Sequence, residues 1–200
     1  MEDFDIVSVG EVVPTFKIDT FNPQTKKFGT FSFNPGKSNK KWTVLVFYPA
    51  DFTFVCPTEL ADFGNKYKEI SSLNVDLISI STDTKFVHMA WQSTERLLKD
   101  IKFEMGADPT ANLAQMFNVY DYEEGHALRA TLIINPVGVL VSAEINAFDV
   151  GRDADELVRK LKAYIYVSTH PGEACPAKWS EKDKTLKPSE KLVGNVASAI

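Results

Sequence analysis

The chain has 200 residues, 44% of them hydrophobic and 24% charged, with a formal net charge of −5. That balance suits one globular domain with extensions, and it counts against a nucleic-acid binder because no basic run precedes the lysine-bearing tail. The apolar runs are strand-sized, which excludes a membrane-spanning helix, and the acidic start Met1–Asp5 is the opposite of a secretory leader, so a cytoplasmic protein without membrane partners is expected.

Residues 1–41 read as irregular and turn-rich, with Asn22-Pro23 and Asn34-Pro35-Gly36 as breakers. Trp42–Tyr48 is a continuous apolar run of β-formers and predicts a central strand. Proline is favoured at the first helical position, so Cys56-Pro57 predicts a helix start with Cys56 roughly at the N-cap. Leu60, Phe63, Tyr67 and Ile70 then recur at helical spacing through Ser71. Val75–Ile80 predicts a second strand, and residues 84–99 and 110–117 predict helices, the second one short. Arg129–Ile134 and Val139–Ile145 predict two strands joined by the turn Asn135–Gly138. Residues 153–167 predict a helix with Leu157, Leu161 and Ile165 on one face, and from Ser168 the chain is polar and proline-bearing.

That order is an α/β layout. A parallel strand pair joined by a helix, then a hairpin and a closing helix, is the thioredoxin arrangement. The expected organisation is a thioredoxin-like domain over residues 1–167, with an N-terminal extension, and a C-terminal extension over residues 168–200.

The chain has two cysteines, too few for a disulfide scaffold at this length. Cys56 is placed where a strand feeds a helix, on the sheet edge where α/β proteins hold ligands. Unpaired N–H groups and the positive end of the dipole favour a thiolate there, and a thiolate is a nucleophile. The competing reading is a small buried hydrophobe among Phe52, Phe54 and Val55. Thr53 can aim its hydroxyl at the same place or simply serve the turn, and Pro49 ends the strand and can shield the sulfur. Cys175, in the polar tail, can take up what Cys56 forms or remain an idle thiol.

Pro49, Thr53 and Cys56 have the P-x-x-x-T-x-x-C form of the peroxiredoxins. The longer stretch FYPADFTFVCPTEL, the segment Ser81-Thr82-Asp83-Thr84 with His88-Met89-Ala90-Trp91, then Asp108-Pro109-Thr110, Arg129-Ala130-Thr131, Gly151-Arg152 and His170–Trp179 all resemble the typical 2-Cys group. Within it the alkyl hydroperoxide reductase C type is the nearest likeness, from about Lys41 to Gly194. The resemblance implies that Cys56 is a peroxidatic cysteine, oxidised by hydrogen peroxide or alkyl hydroperoxides to a sulfenic acid. It also implies that Cys175 resolves that acid as a disulfide across a dimer; the separation of the two cysteines along the chain allows either one subunit or two.

Arg129 matches the family's active-site arginine, and with Thr53 and the Cys56 N–H it is expected to supply donors to the peroxide oxygens. Its bland reading is a surface arginine at a strand end. Glu59 is expected to orient an arginine or to favour the helix dipole, and Arg152 to complete that network or cap a helix start. Trp91 reads as packing, and His88 and His126 as structural or surface residues.

No glycine-rich phosphate loop is present, so no bound nicotinamide or flavin is expected and electrons are expected from another protein or a small thiol, with thioredoxin or a dedicated flavoprotein reductase as the protein candidates. His170, Glu173 and Cys175 lack the spacing of a metal site, and none is expected. The resemblance further implies a homodimer and a decamer of five dimers, and Val139–Ile145, read as a short edge strand, can pair across the two-fold axis of the dimer. Oxidation-sensitive relatives carry a Gly-Gly-Leu-Gly stretch and a C-terminal Tyr-Phe helix. Here residues 92–107 contain only Gly106, and Trp179 is the only aromatic beyond Cys175, so resistance to over-oxidation is expected. The competing readings are a general thiol–disulfide oxidoreductase, disfavoured by the missing C-x-x-C, and a ring-forming holdase chaperone.

Overall fold

The computed structural model describes residues 6–36 and 41–199. In chain order the elements are β1 (Phe16–Asn22), β2 (Lys27–Phe33), β3 (Trp42–Phe47), α1 (Cys56–Ser72), β4 (Val75–Ser81) and α2 (Lys85–Thr94). They continue with β5 (Glu104–Ala107), α3 (Asn112–Met116), β6 (Tyr120–Asp121), β7 (His126–Ala127), β8 (Arg129–Ile134), β9 (Leu140–Asn146) and α4 (Ala154–Thr169). Contacts divide the chain into two units, residues up to Ala154 and residues from Asp155.

The first unit is built on a seven-stranded sheet in the order β2-β1-β5-β4-β3-β8-β9. Strands β3, β4 and β5 run parallel, while β8 pairs antiparallel with β3, and β9 with β8. All six residues of β3 are buried, which is why its sequence is apolar but for Thr43 instead of alternating. Leu45, Phe47, Ile78, Ile80, Leu132 and Ile134 join Leu113, Phe117 and Val119 in one continuous core. Helix α1 buries Leu60, Phe63 and Ile70 at the spacing its sequence predicts. This is the thioredoxin-like α/β fold.

The structure corrects the reading of residues 1–41 as irregular. Strands β1 and β2 form an antiparallel hairpin, and β1 also pairs with β5. The Asn22 carboxamide oxygen accepts from the N–H groups of Gln24 and Thr25, so the Asn-Pro breaker is a hairpin turn. In β1, Phe16, Ile18 and Thr20 face inward and Lys17 and Asp19 outward, a period of two with polar residues masking it. Met1–Asp5 lies outside the described residues. Strand β5 was also missed: four residues, Glu-Met-Gly-Ala, have little strand propensity and are held by pairing on both sides. The helix expected over 84–99 stops at Thr94, where Glu95 turns to extended backbone and caps a short 3-10 turn, Arg96–Leu98.

In the second unit, Leu157, Val158 and Leu161 of α4 are buried. The segment after α4 is not purely a solvated tail. Trp179 is buried, 5.0 Å from the Tyr166 ring, and Ala174 bridges Leu186.

Candidate active site

Helix α1 begins at Cys56, with Val55 as the cap and Pro57 in the first turn, one residue from the sequence reading. Cys56 is fully buried. In that first turn the N–H groups of Thr58 and Glu59 donate to the Val55 carbonyl at 3.0 and 3.2 Å and Pro57 has none to offer, so the donor at the sulfur comes from elsewhere in the fold. The sheet register brings the partner charge. Phe47, the last residue of β3, lies opposite Ala130, so Arg129 falls just beyond the strand end that feeds the Cys56 loop.

Arg129 Nη1 donates to Cys56 Sγ at 3.4 Å and to Glu59 Oε2 at 2.6 Å, while its Nε donates to the Phe148 carbonyl at 2.7 Å. Glu59 sits one turn past Cys56, and it is fastened from the other side by Arg152. The backbone N–H and Nε of Arg152 donate to Glu59 Oε1 at 2.9 and 2.8 Å, and Nη2 donates to Oε2 at 3.1 Å. Arg152 Nη1 reaches the Ala130 carbonyl at 2.6 Å, and the guanidinium lies over the Phe63 ring. At Gly151 a Cβ would come within 3.3 Å of Val55 and 3.5 Å of Glu59, so the bare backbone lets Arg152 approach α1.

Burial disfavours the charge on Glu59, but the hydrogen bonds and charge of Arg152, with the charge of Arg129, outweigh it and hold the carboxyl below its usual range. Burial likewise opposes the charge on Arg129, and its hydrogen bond to Cys56 and the charge of Glu59 reverse that. Two guanidinium groups and one carboxylate leave a net positive charge, and of the two guanidinium groups Arg129 is the one that reaches the buried sulfur.

The other predicted residues divide. Pro49 is buried at the end of β3. Thr53 is half-buried, and its hydroxyl proton is committed to the Ala50 carbonyl at 2.8 Å, so here it offers the site an acceptor, not the donor expected. Trp91 is buried beside the Tyr48 and Phe52 rings, as a packing residue would be. Arg152 is tied into the Glu59 network and does not merely cap a helix start. His88 is fully buried, and its surface alternative is corrected. The Phe148 carbonyl that steers Arg129 was missed, and a backbone acceptor leaves no sequence signal.

Cys175 belongs to the second unit, half-buried, with Sγ 3.9 Å from the Ala163 carbonyl. Burial pushes its thiol up, opposed by the charge of Arg159. Neither cysteine is in a disulfide. Glu173 accepts from the Tyr166 and Thr185 hydroxyls, and among the described residues no metal-ligand cluster is formed.

Residues 9–143 match the AhpC/TSA family. Alkyl hydroperoxide reductase C of Salmonella typhimurium is 48% identical over 181 residues, covering 90% of this chain and 97% of that protein. The reduced crystal structure of Plasmodium vivax 2-Cys peroxiredoxin superposes with a TM-score of 0.84 at 31% identity, covering 92% of this chain and 94% of that one. The crystal structure of Enterococcus faecalis AhpC gives 0.78 at 38% identity, covering 86% of this chain and all of that one, 100%.

Proposed function

Because this chain belongs to the AhpC/TSA family and is a thiol peroxidase of the peroxiredoxin type, we propose that Cys56 is its peroxidatic cysteine and Cys175 its resolving cysteine. The observation that carries this reading is the Arg129 guanidinium at 3.4 Å from a fully buried sulfur, held in a cluster with one positive charge in excess. A Cys56 thiolate brings that cluster to neutrality. The same guanidinium then faces the peroxide oxygens as negative charge grows on them, without having to reorganise. Thr53 presents its oxygen to accept from the hydroperoxide O–H, with Pro49 walling off water.

The substrates are hydrogen peroxide and alkyl hydroperoxides. The thiolate attacks one peroxide oxygen, the O–O bond breaks, and the other oxygen leaves as water or an alcohol after gaining a proton. Cys56 is then a sulfenic acid. The Cys175 thiol condenses with it, an S–S bond forms, and water leaves. Two electrons from thioredoxin or a dedicated flavoprotein reductase restore both thiols. Since Cys56 is fully buried, and a disulfide needs Cα atoms within about 7 Å, the first turn of α1 and residues 52–58 must unwind between these steps.

Strand β9 ends the sheet order; its first residue, Leu140, is bonded to Gly10 and Glu11, and among the described residues no further strand of the sheet lies beyond it. A second copy pairing there across a two-fold axis supports a homodimer, and the disulfide is then intersubunit. The family likeness supports a decamer of five such dimers and a cytoplasmic location; among the described residues no helix is long and apolar enough to cross a membrane.

The test is one equivalent of hydrogen peroxide added to the reduced protein, followed by mass analysis under denaturing, non-reducing conditions. A covalent dimer is expected. An oxidised monomer would refute the intersubunit disulfide and keep the peroxidase. Two free thiols would refute the role of Cys56.

A further inference from the structure

The loop that delivers Cys56 is anchored by a buried polar cluster that none of the steps above uses. Tyr48, the residue after β3, donates its hydroxyl to Asp51 Oδ1 at 2.7 Å. The second carboxylate oxygen, Oδ2, meets His88 Nδ1 of α2 at 2.8 Å, and His88 Nε2 meets the Gly106 carbonyl of β5 at 3.1 Å. The Asp51 backbone N–H donates to Asp83 Oδ2 at 2.8 Å, and Asp83 is itself held by the Ser81 hydroxyl at 2.8 Å. Tyr48 and His88 are fully buried and Asp51 is 6% exposed. One loop residue is therefore bonded to Tyr48 just after β3, to α2 and to the β4–α2 turn, and through His88 to β5.

Beyond Asp51 the loop changes character. Phe52 adopts a left-handed backbone, φ 56°, and is exposed, and Phe54 is 93% exposed. Burial pushes the Tyr48 phenol well above its usual range, with the charge of Asp51 adding to it, so Tyr48 stays a neutral donor. A buried network with every member satisfied is rigid, and removing one partner leaves a buried polar atom unpaired.

We propose that Tyr48, Asp51 and His88 are positioning residues that latch the upstream end of the Cys56 loop and set how fast oxidised Cys56 is released to Cys175. The latch rests on the roles proposed for those two cysteines. It sits at the boundary between the part of the loop that stays and the part, residues 52–58, that must open. Weakening it shifts the loop toward the open form. Disulfide formation then accelerates, while the sulfur's own partners, Arg129 and Glu59, are untouched.

The experiment measures the rate of the Cys56–Cys175 disulfide after a single turnover with hydrogen peroxide, by rapid quench, thiol alkylation and mass spectrometry. Tyr48→Phe removes one hydroxyl, and His88→Gln removes the ring while keeping a donor. Losing one such buried hydrogen bond corresponds to a disulfide-forming step about 5- to 10-fold faster. Leu132→Ala, a core truncation away from the latch, serves as the control for general destabilisation and should leave the rate unchanged. If Tyr48→Phe and His88→Gln both resolve within twofold of the unsubstituted protein, or if Leu132→Ala accelerates it equally, the latch is refuted and the cysteine roles stand. If the unsubstituted protein forms no disulfide between these cysteines, the cysteine roles fail and the latch falls with them.

Discussion

Replacing Glu59 with glutamine tests how the site is charged. The carboxylate accepts four hydrogen bonds, one from Arg129 and three from Arg152, and its side chain is 1% exposed. Glu59→Gln keeps the size and removes the only anion shared by the two guanidinium groups. Deleting one partner of a buried ion pair costs about 3–5 kcal/mol. The kinetic effect comes through Arg129, which keeps the Phe148 carbonyl but loses the contact that sets its Nη1 beside Cys56. A displacement of about 1 Å at a reacting centre can cost about 100-fold. The assay is single-turnover oxidation of reduced protein by hydrogen peroxide in stopped flow, with the second-order rate expected to fall by about that factor, and Arg129→Met expected to fall at least as far. The pH limb gives a second readout. The folded Glu59 carboxyl lies below the usual 4.5, so its stabilisation is complete above that pH and is lost as pH falls through the folded value. Glu59→Gln should lack that acid limb in urea unfolding. An oxidation rate within threefold of the unsubstituted protein would refute the claim that Glu59 aims Arg129.

Asp108 should behave in the opposite sense. It is 4% exposed, and burial raises its carboxyl to about 6 against the backbone N–H groups of Ala114, Leu113 and Asn112 that favour its charge. A raised carboxyl stabilises the fold at low pH, and that contribution disappears as pH rises from about 4 to about 6, an amount of up to about 3 kcal/mol. Asp108→Asn should flatten this loss, and an unchanged pH profile of unfolding would contradict it. Over-oxidation should be rare: with only Gly106 in residues 92–107 and no Tyr-Phe pair after Cys175, the protein should give disulfide, not sulfinic acid, at equimolar peroxide. Mass spectrometry showing a substantial Cys56 sulfinic fraction there would count against it.

The parts legible in the sequence are those whose cause is local. Trp42–Phe47 has no polar residue but one threonine, and only a strand buried on both faces accommodates that. Cys56-Pro57 followed by Leu60, Phe63 and Ile70 fixes a helix start and its buried face within one turn. The hairpin of β8 and β9 follows from two β-rich runs around Asn-Pro-Val-Gly. The ordered motifs from Pro49 to Trp179 carried the family assignment as well, because they are residue patterns read along the chain, and the match to the AhpC/TSA family bears that assignment out.

Tertiary structure alone decided the rest. Strands β1 and β5 carry Lys, Asp, Glu and Gly in positions that look like loop until each finds the other across the sheet. Arg129 is 73 residues from Cys56 and Arg152 is 93 from Glu59, so their separations of 3.4 and 2.8 Å exist only in the folded chain, the first through the register of β8 on β3 and the second through the segment between β9 and α4. Thr53 was legible as a site residue, but the direction of its hydroxyl was not, since the Ala50 carbonyl that takes its proton is defined by the turn. His88 was legible only as structural or surface and Asp51 had no reading of its own, since what pairs them is burial. Sequence periodicity reports which face of an element avoids water. Which buried charges meet is set by long-range pairing, and that is where this site acquires its excess positive charge.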